Sequence, residues 1–171
     1  MFCSSSNLIN EKYKLLARKF GKNLALRGYC LVYGGGKVGL MGEMGAAVKQ
    51  YGGKKIGVIP KQLLTMEVAA TDDDKQYITS DMHTRKEKLI ALSDVFIAFP
   101  GGFGTLDELL EVITLKQLNY HQKPIYILNY DNFFDGIIRQ FNRIYNEQFA
   151  SVERSYFKEI YNIESFFTFF K

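Results

Sequence analysis

The 171-residue sequence predicts an α/β fold in which parallel strands alternate with helices. Short apolar segments with strand character alternate with longer segments of helical spacing along the chain. The strand segments are continuously apolar, which is typical of strands that helices cover on both faces of a parallel sheet. Two of these segments run into glycine-rich loops, and ligands of such folds bind at the carboxyl ends of strands.

The first helix is predicted by four apolar residues that fall on one helical stripe: Tyr13, Leu16, Phe20 and Leu24. This helix covers residues 11–27 and ends at Gly28, a residue type that is common just past helix ends. An apolar strand over 29–33 follows, and helical spacing returns over 40–51. The second apolar strand covers 55–59 and stops at a proline.

The alternation continues through the second half of the chain. A weaker strand at 76–79 precedes a helix at 82–92, and the apolar segment 94–99 predicts a buried strand. The remaining predicted elements are a helix at 105–119, a strand at 124–129, a helix at 131–149, a strand at 159–161 and an aromatic helix at 163–170. Together these units predict a Rossmann-like doubly wound sheet in three layers, as one domain over residues 1–171.

Two segments fit this pattern less well. Only three residues precede the Ser4-Ser5-Ser6 turn, so the first strand is expected to be short. The segment 61–75 has no clear period, and we interpret its acidic run Asp72-Asp73-Asp74 as a solvated loop.

Composition excludes several classes of function. A hydrophobic content of 47% suits a real core, and the net charge of +4 fits an anionic ligand. No Lys/Arg run of the kind that tracks a nucleic-acid backbone is present, and the apolar run 95–99 is too short to span a membrane. Cys3 and Cys30 suit reduced core thiols, and no leader pattern opens the chain. We therefore expect a cytoplasmic protein.

The loop Pro100-Gly101-Gly102-Phe103-Gly104-Thr105 is the clearest candidate for a ligand site. It follows a buried strand and opens a helix, so its backbone N–H groups and the helix dipole favour an anion such as phosphate. Gly101, Gly102, Gly104 and Thr105 are the predicted binding residues. The alternative is a tight turn between strand and helix that binds nothing.

The earlier glycine loop, which contains Gly35 and Gly36, also matches a known pattern. Gly34, Gly36 and Gly39 fit G-x-G-x-x-G, but a dinucleotide site needs an acidic residue about 20 positions on. The sequence has Ile59-Pro60-Lys61 there, which argues against NAD. Neither loop contains the Gly-Lys-Ser/Thr of a Walker A motif, which binds nucleoside triphosphates.

Glu108 has two interpretations. Thr105 and Glu108 are spaced as a capping box, which is a complete structural explanation. Alternatively, the Glu108 carboxylate lies one turn into the helix and faces a sugar whose phosphate is on the loop. Glu111, a further turn along, is then a flanking candidate.

Arg85 and Lys86 lie near the start of the helix at 82–92, in the run Met82-His83-Thr84-Arg85-Lys86. They form either a solvated basic face or a contact with a phosphate or base, for which Arg offers planar donors. His83 and His121 are not spaced for zinc. The serines at 4–6 lack a nucleophile motif, and Ser5 is better suited to donate a hydrogen bond at a strand end.

Taken together, these motifs resemble those of the LOG ("Lonely Guy") family, often labelled lysine decarboxylase-like. Pro100 to Glu108 match its P-G-G-x-G-T-x-x-E signature. The similarity runs from residue 2 to about 149 and includes six further matching segments: Cys3–Ser6, Val32–Gly36, Val38–Gly42, Gly57–Pro60, Met82–Lys86 and Asp94–Ala98.

The resemblance implies a homodimer that releases a free base from a nucleoside 5′-monophosphate, such as a cytokinin or adenine from AMP. It implies no metal or redox cofactor. The positions of Arg85 and Glu108 match the family's catalytic pair, and the loop at 100–105 matches its phosphate site. Met82, Lys86, Gly35, Gly36, Ser5 and Glu111 complete the expected substrate-binding set.

The decarboxylase label does not fit the sequence, and one rival of another class is a binding protein. A decarboxylase would need pyridoxal phosphate on a Schiff-base lysine, and no motif for such a site is present. A molybdenum-cofactor carrier has a related fold and similar glycine loops, and would hold an anion without turnover. Arg85 together with Glu108 favours the enzyme.

Overall fold

The computed structural model describes residues 1–64, 69–151 and 156–169. Two compact units divide the chain, Met1–Ser93 and Asp94–Lys171. Each unit contains one three-stranded sheet in which every strand pair is parallel, with helices between the strands. The predicted α/β class with parallel strands is therefore confirmed.

The first unit has the strand order β1-β2-β3, so each strand lies beside the next one in the chain. Its strands are β1 (Cys30–Tyr33), β2 (Lys54–Pro60) and β3 (Lys75–Thr79). Its helices are α1 (Glu11–Leu26), α2 (Gly39–Gln50), the short α3 (Lys61–Leu64) and α4 (Met82–Leu92). The parallel register places Tyr33 opposite Gly57, which aligns the end of β1 with the middle of β2.

Local sequence explains the bounds of α1. The side chain of Asn10 accepts a hydrogen bond from the Lys12 N–H and caps the first turn. Gly28 follows the helix with φ +75°, a left-handed conformation that glycine adopts without strain. On the inner face, a Cβ added to Gly21 would lie 2.5 Å from the Met44 carbonyl oxygen. Only glycine allows α1 and α2 to pack this closely.

The N-terminal residues pair with the sheet at a single residue. Phe2 forms an isolated bridge rather than a longer strand, and its side chain is buried. The terminal amine of Met1 donates to the Val32 carbonyl in β1, and the Leu40 N–H donates to the Ser4 carbonyl. Ser4 to Ser6 therefore lie beside the start of α2.

The second unit has the strand order β4-β5-β6. Its strands are β4 (Phe96–Ala98), β5 (Ile125–Leu128) and β6 (Lys158–Ile160). Its helices are α5 (Phe103–Gln117), α6 (Asp135–Asn146) and α7 (Ile163–Phe169). The β4 and β5 residues are buried, which explains their continuously apolar sequence.

The helix predicted over residues 131–149 is shorter in the structure. Asp131 and Asn132 adopt φ +55° and +58°, so they form part of a 3₁₀ turn. The first turn of the predicted helix is therefore absent, and α6 begins at Asp135. The buried Asn129 side chain stabilises this turn, because its Oδ1 accepts from the Phe134 N–H. Asp and Asn tolerate the left-handed conformation better than most residues, and periodicity alone does not reveal it.

Across the described ranges, every helix is too short or too polar to cross a bilayer.

Candidate functional site

The loop between β4 and α5 comprises residues 100–102, and α5 begins at Phe103, two residues earlier than predicted. Gly102 is the N-cap, and its carbonyl accepts from the N–H groups of both Thr105 and Leu106. No side chain caps this helix. The capping-box interpretation of Thr105 and Glu108 is therefore wrong, because both residues lie inside the helix.

Gly102 and Gly104 are not required by the packing of the chain. A Cβ at either position would meet no atom of the described residues within 4 Å, and neither glycine has a positive φ. A larger residue would therefore fit the unliganded fold at both positions. The absence of side chains leaves the backbone at the start of α5 open to an approaching group, and N–H groups at a helix start lack intrahelical partners.

Thr105 and Glu108 lie on the inner face of α5. Both are buried, with exposed fractions of 3% and 9%, and they are separated by one helical turn. Within the described residues, the Thr105 hydroxyl oxygen is buried and has no hydrogen-bond partner. A buried polar atom without a partner costs free energy, and a group bound at the open glycine loop would satisfy this hydroxyl. Glu111, half-buried, follows one turn later.

In the first unit, residues 34–36 form a loop after β1, here called the Gly34 loop. Gly35 has φ +70°, and its carbonyl accepts from the Ala70 N–H at 2.8 Å. Gly36 forms an isolated antiparallel bridge with Ala69. Backbone contacts with Ala69 and Ala70 therefore hold the Gly34 loop.

Gly39 has φ +59° and packs against the N-terminal segment, where a Cβ would lie 2.5 Å from the Ser5 carbonyl carbon. Gly35 and Gly39 of this earlier glycine-rich segment are thus explained by chain packing and conformation, without a dinucleotide. Ser5 itself is exposed.

Arg85 is buried beside the Gly34 loop, with 7% of its surface exposed. Its Nε donates to the Val58 carbonyl of β2 at 3.1 Å. A Cβ on Gly34 would collide with its Nη2, so glycine is needed there to admit the guanidinium. The interpretation of a solvated basic face is therefore wrong for Arg85. The structure brings Arg85 together with the Gly34 loop at the end of β1.

The start of α4 positions this arginine. Asp81 is the N-cap, and a reciprocal capping box links it to Thr84. Hydrogen bonds from Ser80 and from the Thr84 N–H lower the pKa of Asp81 to about 2, so its charge also complements the helix dipole. Met82, the first residue of α4, is 47% exposed, and Lys86 is half-buried on the same helix.

The acidic run Asp72-Asp73-Asp74 is only partly the solvated loop that the sequence predicts. Asp73 is buried, with 1% of its side chain exposed, and its Oδ1 accepts from the Tyr33 hydroxyl at 2.7 Å. The buried Lys55 ammonium lies 2.6 Å from an Asp72 oxygen and 3.5 Å from Asp73 Oδ1. Asp74 accepts from the Lys55 N–H. Asp72 and Asp74 are exposed, as a solvated loop predicts, but Asp73 is buried and the run neutralises Lys55 inside the sheet. A lysine at the start of an apolar strand was the signal available in the sequence.

Burial raises the pKa of Asp73 above its usual range, although the Tyr33 hydroxyl and the Lys55 ammonium oppose this shift. Burial and the bond to Asp73 also raise the pKa of Tyr33. Tyr33 therefore stays protonated and donates to Asp73 at all pH values near neutrality.

His121 has a structural role. Its Nδ1 accepts from the Lys123 N–H at 3.2 Å, so in the neutral ring Nε2 carries the proton and donates to the Val112 carbonyl. Burial lowers the pKa of this imidazole, which favours the neutral form. Within residues 1–64, 69–151 and 156–169, no group of three or more His, Cys, Asp or Glu is arranged to hold a metal ion.

Comparison with known proteins identifies relatives of both the sequence and the fold. The family described as "Possible lysine decarboxylase" matches residues 41–167. The probable cytokinin riboside 5′-monophosphate phosphoribohydrolase LOGL3 of Oryza sativa subsp. japonica is 44% identical over 151 residues, which are 88% of this chain and 72% of the relative. The corresponding LOG4 enzyme of Arabidopsis thaliana is 43% identical, over 88% of this chain and 70% of its own length.

Solved structures with the same fold are more distant in sequence. The molybdenum cofactor binding protein of Rippkaea orientalis has a TM-score of 0.72 at 22% identity, covering 96% of this chain and 89% of that protein. This similarity supports the Rossmann-like fold alone. The sequence relatives decide the family: the chain belongs to the LOG family, as its glycine loops, Arg85 and Glu108 had indicated.

Proposed function

We propose that this chain hydrolyses the N-glycosidic bond of adenine-type nucleoside 5′-monophosphates and releases the free base and ribose 5-phosphate. One observation carries the proposal: a buried carboxylate, Glu108, lies one turn beyond an open glycine loop and a Thr105 hydroxyl that has no partner in the described part of the chain. The 43–44% identity to named cytokinin riboside 5′-monophosphate phosphoribohydrolases supports the substrate class.

The reaction needs negative charge beside the sugar. When the C1′–N9 bond breaks, its electron pair leaves with the base and positive charge builds on the ribose ring, as in glycoside hydrolysis. Glu108 stabilises that charge and accepts a proton from the water whose oxygen bonds to C1′. The proton is then available to the departing base. Glu111 is a lesser candidate for the same role.

The substrate phosphate is assigned to Gly101, Gly102, Gly104 and Thr105. Backbone N–H groups at the start of α5 and the Thr105 hydroxyl would bind its oxygens, and the helix dipole adds to the attraction. Fixing the phosphate also fixes the ribose and lowers the entropic cost of reaction.

The other predicted residues keep supporting roles. Arg85 would bind the phosphate or ribose or polarise the base, with Met82, Lys86, Ser5, Gly35 and Gly36 as further binding residues. A homodimer, a cytoplasmic location and one nucleotide-binding domain over residues 1–171 stay predictions. A molybdenum-cofactor carrier is less favoured, because the structure of that type is 22% identical whereas the enzymes reach 44%.

Base release is the direct test of this function. The protein is incubated with AMP, isopentenyl-AMP and adenosine, and free base is measured by chromatography. We expect turnover of the monophosphates, with kcat/KM at least about 100-fold above that of adenosine, because the phosphate contributes binding energy remote from the reacting bond. Absence of free base from every monophosphate would refute the proposal.

Replacing Thr105 by Val tests the phosphate site separately. Because the hydroxyl has no partner among the described residues, the unliganded protein should keep its melting temperature or gain slightly. Its affinity for AMP should fall by about 10- to 100-fold, since a hydrogen bond to a charged group is lost. Calorimetric titration and thermal denaturation give the two values. A loss of stability with unchanged affinity would show that the hydroxyl serves the fold.

A further inference from the structure

The buried cluster of Tyr33, Lys55 and Asp73 lies next to the Gly34 loop but is not used by the proposed reaction. We propose that Asp73 is a positioning residue, which fixes the Gly34 loop and, through it, the Arg85 guanidinium. The consequence for substrate binding rests on the proposed function, whereas the positioning itself does not.

Asp73 is held from one side. The Tyr33 hydroxyl donates to Oδ1 at 2.7 Å, and the Lys55 ammonium lies 3.5 Å from the same oxygen. Both donors come from strands, Tyr33 from the end of β1 and Lys55 from β2. The carboxylate therefore links two neighbouring strands and has one orientation that satisfies both donors. An apolar side chain of similar size would fill the space without setting that orientation.

The other oxygen of Asp73 lies against Gly57 of β2, which in turn lies beside the Gly34 loop. Oδ2 is buried and has no hydrogen-bond partner within the described residues. A Cβ on Gly57 would collide with Oδ2 on one side and would lie 2.9 Å from the Gly35 Cα on the other. Asp73 therefore contacts Gly57, and Gly57 contacts Gly35. Oδ2 gains no hydrogen bond in this position. The two donors to Oδ1 fix the carboxylate and so keep Oδ2 against Gly57.

The same contacts continue to Arg85. A Cβ on Gly35 would lie 3.3 Å from the Val58 nitrogen, so the loop rests on the β2 backbone at this residue. The Val58 carbonyl accepts from Arg85 Nε, and Gly34 lies against Arg85 Nη2. A shift of the Gly57–Val58 backbone or of the Gly34 loop would therefore move the guanidinium.

The segment over residues 69–74, which carries Asp73, contacts the Gly34 loop at two further residues. The Ala70 N–H donates to the Gly35 carbonyl, and Ala69 forms the bridge with Gly36. The Asp74 carboxylate fixes the end of this segment on the Lys55 N–H at 2.9 Å. Asp73 is accordingly the buried carboxylate of a segment that holds the Gly34 loop on β2.

The test compares Asp73→Asn with Asp72→Asn as the matched control. Both remove one carboxylate beside Lys55, but the Asp72 side chain is 56% exposed, whereas the buried Asp73 lies against Gly57. The readout is the ¹H–¹⁵N signal of Arg85 Nε and its exchange with solvent. We expect Asp73→Asn to shift this signal and speed its exchange at least about tenfold, and Asp72→Asn to leave both near wild type. Tyr33→Phe, which keeps the ring, should act in the same direction.

Substrate binding provides a second readout. Asp73→Asn should weaken AMP binding about tenfold in an otherwise wild-type chain and have no further effect in an Arg85→Ala chain, because coupled residues are not additive. Additive effects, or a lower melting temperature with an unchanged Arg85 signal in both Asp73→Asn and Tyr33→Phe, would overturn the inference. The Arg85 signal is measured without substrate, so it tests the positioning role of Asp73 independently of the reaction. Failure to release base would refute the proposed function but would not affect this test.

Discussion

Replacing Glu108 by Gln is expected to lower kcat for base release from AMP by at least about 100-fold, the usual contribution of a positioned acid–base group. Gln has the same shape but carries no charge and cannot accept the proton of the attacking water. Because α5 is capped by Gly102 without a side chain, the substitution removes no cap. The fold and the phosphate loop should thus be unchanged, and AMP affinity should remain within a few-fold of wild type.

Asp107→Asn is the matched control for this variant. Asp107 is the adjacent carboxylate on α5 but is exposed, so the same loss of charge occurs away from the buried face. Its turnover should stay close to wild type. Equal rates for wild type and Glu108→Gln would remove Glu108 from the mechanism, and Glu111→Gln would then be the next variant to assay.

Replacing Lys55 by Met is expected to lower the free energy of unfolding by about 3–5 kcal/mol, the typical result of removing one partner from a buried ion pair. Lys55 is 2% exposed, and the variant leaves Asp73 buried without its cation. Chemical denaturation at neutral pH measures the loss. Lys49→Met is the control, because Lys49 pairs with the partly exposed Asp74 and should matter much less.

The pH dependence of the Lys55→Met variant has a definite sign. The Lys55 charge opposes the rise in the pKa of Asp73, so its removal should raise that pKa further. A carboxyl whose pKa is higher in the folded state binds more protons there, and stability falls as pH rises from its unfolded pKa through its folded pKa. The deficit should thus be smallest in acid and grow toward neutral pH. A deficit that is constant with pH would exclude Asp73 ionisation as its cause.

Regular elements were predictable because their evidence is local. The helix at Met82–Leu92 was predicted with its observed bounds, and β1 and β2 differ from prediction by one residue at their ends. The bounds failed where a single residue changes the backbone. Asp131 and Asn132 interrupt the helix predicted over 131–149 through positive φ angles, and Gly102 starts α5 early without a capping side chain.

The candidate site divides in the same way. The glycine loops, Glu108 and Arg85 were identified from residue types and spacing, because a phosphate loop at a helix start is a contiguous motif. The burial of Arg85 was open in the sequence, since a cation in the first turns of a helix is more often solvated. The role of Asp73 was missed because its partners Tyr33 and Lys55 are 40 and about 20 positions away.

By itself, the sequence determined the alternation of strands and helices, the two glycine loops and the family to which the chain belongs. Only the tertiary structure decided which charged residues are buried and what neutralises them, as for Lys55 with Asp72 and Asp73. The physical reason is that propensity and periodicity act over a few neighbouring residues, whereas the cost of burying a charge depends on groups that the fold brings together from distant positions.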